Sequence, residues 1–139
     1  MRAVPLLALV LGGCVYTIPH EPNRTLIEQI GPEQASREIS ELLTRAVEPA
    51  IGRVEATDDF FDYQLRYSPG GNRIHFTNIS RHELYENGFV YFYGPGDVFL
   101  AKFLFAQLPD SRRFLDLVLG MRARRERMLQ GPQVPGAVR

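Results

Sequence analysis

The chain is poor in cysteine, lysine and tryptophan, and it has no long apolar run. Cys14 is its only cysteine. That excludes an intramolecular disulfide and any metal site built from several thiolates, so the domain must hold together by packing alone. Lys102 is the only lysine, and arginine carries the rest of the positive charge. The apolar stretch at residues 3–11 is nine residues long, far below the roughly 20 that a membrane-spanning helix needs. Sixteen basic side chains balance sixteen acidic ones, so there is no net field to favour nucleic acid. Neither the H-E-x-x-H spacing of a zinc protease nor the G-x-S-x-G elbow of a serine hydrolase occurs.

What is present begins at the N-terminus. Arg2 precedes the apolar stretch, which ends in Leu11-Gly12-Gly13-Cys14. A positive residue, a short apolar core and small residues before a cleavage point form a signal-peptide pattern. With the cysteine in place, the pattern resembles the lipobox of a bacterial lipoprotein precursor. The resemblance implies cleavage before Cys14 and fatty acylation of its thiol. It implies a home in the cell envelope, anchored to the membrane by lipid. Val15, rather than aspartate, follows the cysteine, and in the enterobacterial sorting pattern this points to the outer membrane, facing the periplasm.

Beyond the leader (residues 1–13), residues 14–31 read as the lipidated cysteine and a tether, punctuated by Pro19, Pro22 and Asn23. Within it, residues 25–30 can form a helical turn. Residues 32–129 read as one globular domain. Pro32 opens a helix to about Val47, with Ala35, Ile39, Leu42, Leu43, Ala46 and Val47 on one face. Period-two alternation places strands at 61–67 and 73–79, joined by Ser68-Pro69-Gly70-Gly71-Asn72 as a hairpin. Further strands follow at 89–93 and 98–105, with another at 53–57. The strand at 98–105 is apolar on both faces and asks for cover on both. Asp110 or Ser111 caps a closing amphipathic helix over 112–128, and residues 130–139 read as a disordered tail rich in proline and glycine.

The fold class is therefore α+β: an N-terminal helix, a bent antiparallel sheet of four or more strands, and a C-terminal amphipathic helix. The rhythm Ile74-His75-Phe76-Thr77-Asn78-Ile79, with Phe114-Leu115 and Val118-Leu119 on the closing helix, resembles the carboxyl half of a pleckstrin-homology-like domain over 74–121. That resemblance implies a strongly bent or closed sheet. It carries over no ligand-binding residue, because the basic lipid-binding loop has no counterpart here.

The charge is unevenly spread. Residues 21–62 hold ten acidic side chains and four arginines, whereas residues 112–139 hold seven arginines against Asp116 and Glu126. Two solvated faces that attract each other within the fold account for this. His20 lies in the tether, His75 on the polar face of a strand, and His82-Glu83 in a connection. A metal at His82, Glu83 and Glu86, or an acid–base pair drawn from Asp58, Asp59 and Asp62, is outweighed by ordinary surface polarity. No metal, cofactor or catalytic residue is assigned.

Thirteen aromatic residues fall between Phe60 and Phe105. Most belong to a β core, but Tyr91, Tyr93, Phe99 and Phe103 are candidates for an exposed partner or ligand surface. The expected function is a non-enzymatic, lipid-anchored interaction or scaffolding module that meets an envelope protein. The rival readings are a carrier with an aromatic-lined cavity for an amphiphile, and a hydrolase using His75 or His82. Replacing Cys14 with alanine should leave the leader uncut and move the protein from the detergent phase to the aqueous phase on cloud-point partitioning. Equal partitioning of both forms would contradict the lipobox.

Overall fold

The computed structural model describes residues 15–131. The leader, Cys14 and the tail beyond Gly131 lie outside them. The chain is α+β, with two antiparallel sheets and a long C-terminal helix. In chain order the elements are β1 (Thr17–Ile18), α1 (Leu26–Ile30), α2 (Pro32–Thr44), β2 (Ile51–Ala56), β3 (Phe60–Leu65), β4 (Gly71–His75), β5 (Arg81–Tyr85), β6 (Phe89–Tyr93), β7 (Phe99–Leu104) and α3 (Leu108–Gln130). Strands β2-β3-β4 form one sheet, and β1-β5-β6-β7 form the other. Among the described residues no helix is long and apolar enough to cross a membrane.

The two sheets meet α3 at a cluster of phenylalanines. Phe61 of β3, Phe92 of β6, Phe103 of β7 and Phe114 of α3 are all fully buried. The Phe61 ring centroid lies 6.5 Å from Phe92, 6.0 Å from Phe103 and 5.9 Å from both Phe114 and Phe76. These tilted and edge-on pairs each add about 0.5–1.5 kcal/mol beyond the area they bury. Alternation then decides everything else on those strands. With Val90 and Phe92 inward, Phe89, Tyr91 and Tyr93 must point outward.

Several sequence expectations are met and several are corrected. The strand at 89–93 is observed with those bounds, and the strand expected near 53–57 is β2. The hairpin forms, but β3 ends at Leu65, leaving Tyr67 82 % exposed. After β4 the chain makes a 3₁₀ turn at Phe76–Asn78 that still buries Phe76. β5 falls where the sequence reads as a connection. Its sequence RHELY buries only Leu84, so no apolar alternation marks it. The closing helix starts earlier than expected, with Gln107 at its N-cap. Neither Asp110 nor Ser111 caps it. Ser111 is instead buried inside the first turns, and its hydroxyl donates to the Gly88 carbonyl at 2.7 Å.

The segment expected to be a tether is a strap bound to the domain. Thr17 and Ile18 add β1 to β5, with Thr17 opposite Tyr85. His20 Nε2 lies 2.7 Å from Asp116 Oδ1, and its Nδ1 lies 3.1 Å from an Arg112 Nη1. A guanidinium only donates, so Nδ1 accepts and the ring hydrogen sits on Nε2, facing the carboxylate. Arg112 also donates to the Pro19 carbonyl, and the Asn23 amide donates to Asp116. Leu26 and Ile27 of α1 are buried in the core. The charge asymmetry serves the same assembly: Arg113 pairs with Glu38 at 2.9 Å, and Arg124 and Arg125 face Asp58 at 3.8 Å.

α1 crosses α3 at Gly120, where a Cβ would stand 2.4 Å from Ile27 Cγ1. Gly120→Ala should therefore destabilise the protein by about 1–3 kcal/mol through overpacking. In an Ile27→Ala background the clash is gone, and the same change should stabilise by up to about 1 kcal/mol through helix propensity. Denaturant unfolding of the four proteins checks that reversal of sign.

Candidate functional site

The outward face of the four-stranded sheet carries an aromatic patch. In β5 the outward residues are Arg81, Glu83 and Tyr85; in β6 they are Phe89, Tyr91 and Tyr93. Lys102 of β7 pairs with Tyr91, and a register shift next to Tyr93 brings Phe99 opposite it. Tyr91 is the centre. Its ring centroid lies 5.0 Å from Tyr85, 5.9 Å from Phe89, 6.1 Å from Phe99 and 6.4 Å from Tyr93, the last nearly parallel at 16°. Phe99 also meets Tyr93 edge-on at 6.1 Å, and Phe99 is 52 % exposed. Tyr91 and its other three ring neighbours, Tyr85, Phe89 and Tyr93, are half-buried.

Of the four aromatics singled out from the sequence, Tyr91, Tyr93 and Phe99 come together here. Phe103 does not. It points inward, is fully buried, and packs against Phe61, Tyr63, Phe92 and Phe114. Because β7 is apolar on both faces, periodicity could not say which side each residue takes. Tyr85 and Phe89 also belong to the patch: Tyr85 lies on β5, which no apolar alternation marks, whereas Phe89 shares the period-two face of Tyr91 and Tyr93 on β6.

Polar groups hold the rings in place. Glu83 Oε1 accepts hydrogen bonds from the Tyr85 hydroxyl at 3.0 Å and the Tyr93 hydroxyl at 3.1 Å. Arg81 donates from Nη1 to Glu83 and from Nε to Asp97, both at 2.9 Å, and its guanidinium lies 4.1 Å from the Tyr93 ring centroid. The turn before β7 supplies Asp97 through two left-handed residues, Gly96 (φ 71°) and Asp97 (φ 60°). Lys102 Nζ sits 5.5 Å from the Phe89 centroid and 5.9 Å from that of Tyr91. Both cations thus lie over ring faces, the favourable side of an aromatic quadrupole.

These contacts set the ionisation of the patch. Burial works against the charge on Glu83, but hydrogen bonds from Arg81, Tyr85 and Tyr93 outweigh it and hold the carboxyl below its ordinary range. The Tyr85 hydroxyl, by donating to Glu83, is pushed up to about 12. Burial and the same carboxylate raise Tyr93.

The histidines are dispersed. His75 Nδ1 lies 3.4 Å from Asp59 Oδ1 on the outer surface of the three-stranded sheet, both groups being well exposed. His82 is half-buried beside Arg122, and burial, with that cation next, lowers its proton affinity. It points inward while Glu83 points outward, because neighbours on a strand take opposite faces. The two cannot share a metal ion. Asp58 faces Arg124 and Arg125, and Asp62 pairs with Arg73 at 3.1 Å, so these carboxylates meet cations rather than one another. His20 has both ring nitrogens committed to Asp116 and Arg112. Nothing in its spacing marks that role, because its partners are more than ninety residues away.

Glu83→Gln should return Tyr85 from about 12 towards the ordinary phenol value of 10.0, since an amide carries no charge to oppose the phenolate. A ring-carbon titration by NMR reads this directly, and an unmoved Tyr85 would contradict the assigned hydrogen bond. No protein-family model, curated protein or solved structure matches the chain, so the patch is interpreted from its own geometry.

Proposed function

We propose that the chain is a non-catalytic, lipid-anchored interaction module of the bacterial envelope, held through Cys14 at the outer membrane on its periplasmic side. Its working surface is the aromatic outer face of the four-stranded sheet. The observation that carries this reading is the cluster of Tyr85, Phe89, Tyr91, Tyr93 and Phe99, mutually packed yet turned to solvent. A contiguous aromatic patch on the outside of a small domain marks a binding surface. Tyrosine and arginine, as in Tyr93 under Arg81, are the side chains that dominate interface energetics. The rings are already held by Glu83, so little rotamer freedom is lost when a partner arrives.

Support for the two rivals is thinner. An amphiphile carrier needs an aromatic-lined cavity, whereas Phe61, Phe92, Phe103 and Phe114 fill the interior with one another. A hydrolase needs a histidine poised between a carboxylate and a hydroxyl. His75 faces only an exposed Asp59, and His82 is turned away from the carboxylate next to it. The pleckstrin-homology-like resemblance belongs to the same proposal. A strand meander split into two antiparallel sheets and closed by a C-terminal helix supports it, and the helices α1 and α2 ahead of the meander are additions to that plan.

A photo-crosslinking amino acid placed at Tyr91 should give several-fold more adducts in intact envelopes than one placed at Glu41, which is exposed on α2. Equal labelling at the two positions would sink the assignment of the surface.

A further inference from the structure

We infer that the aromatic face seats the domain on the bilayer itself, with its rings at the level of the phospholipid headgroups beside the lipid anchor. The inference rests on the reading of Cys14 as the acylated residue, and it assigns the aromatic face to lipid in place of an envelope protein. Its physical basis is the length of chain between that residue and the fold. Only Val15 and Tyr16 separate Cys14 from Thr17, so the sulphur-bearing residue lies within about 11 Å of the start of β1. Thr17 is paired with Tyr85, and residues directly opposite in an antiparallel pair share a face. The Tyr16 carbonyl accepts from the Glu86 amide at 3.0 Å, so the chain leaves the domain at the end of the sheet that carries Tyr85 and Phe89.

There is no slack behind that exit. The strap is fixed by β1, by His20 and Asn23 on Asp116, and by Leu26 and Ile27 in the core. A domain held this closely cannot swing free of the surface that anchors it. Val15 and Tyr16, which join the anchor to β1, are 41 % and 61 % exposed.

The chemistry of the face suits the headgroup layer. Tyrosine is enriched at that depth because one edge of its ring is apolar and the other polar. Lys102 flanks the rings and can meet a phosphate while its stem lies along apolar surface, whereas Arg81 is held by Glu83 and Asp97. Glu83, the carboxylate among the rings, is paired with Arg81 and accepts from two hydroxyls.

The chain contains no tryptophan, so Tyr91→Trp is a single reporter, with Glu41→Trp as its counterpart across the core. Each full-length protein is made in a host that acylates lipoproteins and reconstituted into phosphatidylethanolamine–phosphatidylglycerol vesicles with brominated acyl chains. The expected result is a blue-shifted emission from Tyr91→Trp, quenched several-fold more strongly than that of Glu41→Trp. Adding Phe89→Ser and Phe99→Ser should abolish the difference while the protein still floats with the vesicles. Equal quenching of the two reporters, in protein shown by mass to be acylated and by flotation to be bound, would overturn the seat and leave the anchor standing. Cross-linking of Tyr91 to a protein rather than to lipid in native membranes would also overturn it. An unmodified Cys14 and no flotation would overturn the anchor and the seat together.

Discussion

The structure depends on the packing of Phe61 against Phe76, Phe92, Phe103 and Phe114. Those five rings come from β3, the turn after β4, β6, β7 and α3, so one contact group joins both sheets to the closing helix. With no disulfide available, it does the work that cross-links do in many exported domains. It also determines the surface. A strand cannot turn Val90 and Phe92 inward without turning Phe89, Tyr91 and Tyr93 outward, because the side-chain period is two. The aromatic patch is the other side of the core register. Sliding β6 by one residue to hide the tyrosines would expose the core instead.

The second constraint is electrostatic and fixes the strap. α3 presents Arg112 and Asp116 one turn apart, and His20 fits between them as both donor and acceptor. Neither contact is a salt bridge in open water, since the His20 side chain is only 4 % exposed. A hydrogen bond made to a charged group in such a place is worth about 1.5–3 kcal/mol net, more than a surface ion pair. On the same helix Arg113 holds Glu38, and farther along Arg124 and Arg125 face Asp58. The acidic first half and basic last helix are therefore two sides of one interface within the fold. The exposed members of that interface, Asp58 among them, add little stability but keep the register.

How much of this was legible in the sequence depends on the element. Strands with one face buried declared themselves: β3 through Phe61 and Tyr63, β6 through Val90 and Phe92. The helix α2 did so through Ile39, Leu42 and Leu43. β5 did not, because it buries only Leu84 and its outward residues, Arg81, Glu83 and Tyr85, are polar for the sake of the patch. The strap was hidden for a different reason. Its prolines and Asn23 suggest a free coil, and its stability comes from Asp116 and Arg112, which no local pattern can reveal. Phe103 was misplaced because β7 offers apolar residues on both faces and bends at Leu100, where the register shifts beside Tyr93. Part of the site was visible from composition, and its exact membership was not, since membership is set by pairing across strands.

An exposed aromatic sheet face is a hazard as well as an asset, because unpaired strand edges beside it invite aggregation. Here both edges of the sheet are blunted. β1 covers part of β5, and on the far side the Val47 amide donates to the Leu104 carbonyl at 2.7 Å while the Leu104 amide donates to Glu48. The face is left open while its edges are closed, which favours contact with a surface laid flat against it over addition of another strand. The strap contributes to the same end. Anchored through a flexible coil, the face would sample every orientation, and each productive contact would cost the entropy of fixing it. Under the proposed anchor at Cys14, a strap pinned by His20, Asp116 and the core spends that entropy in folding, and the orientation of the face would follow from the fold itself.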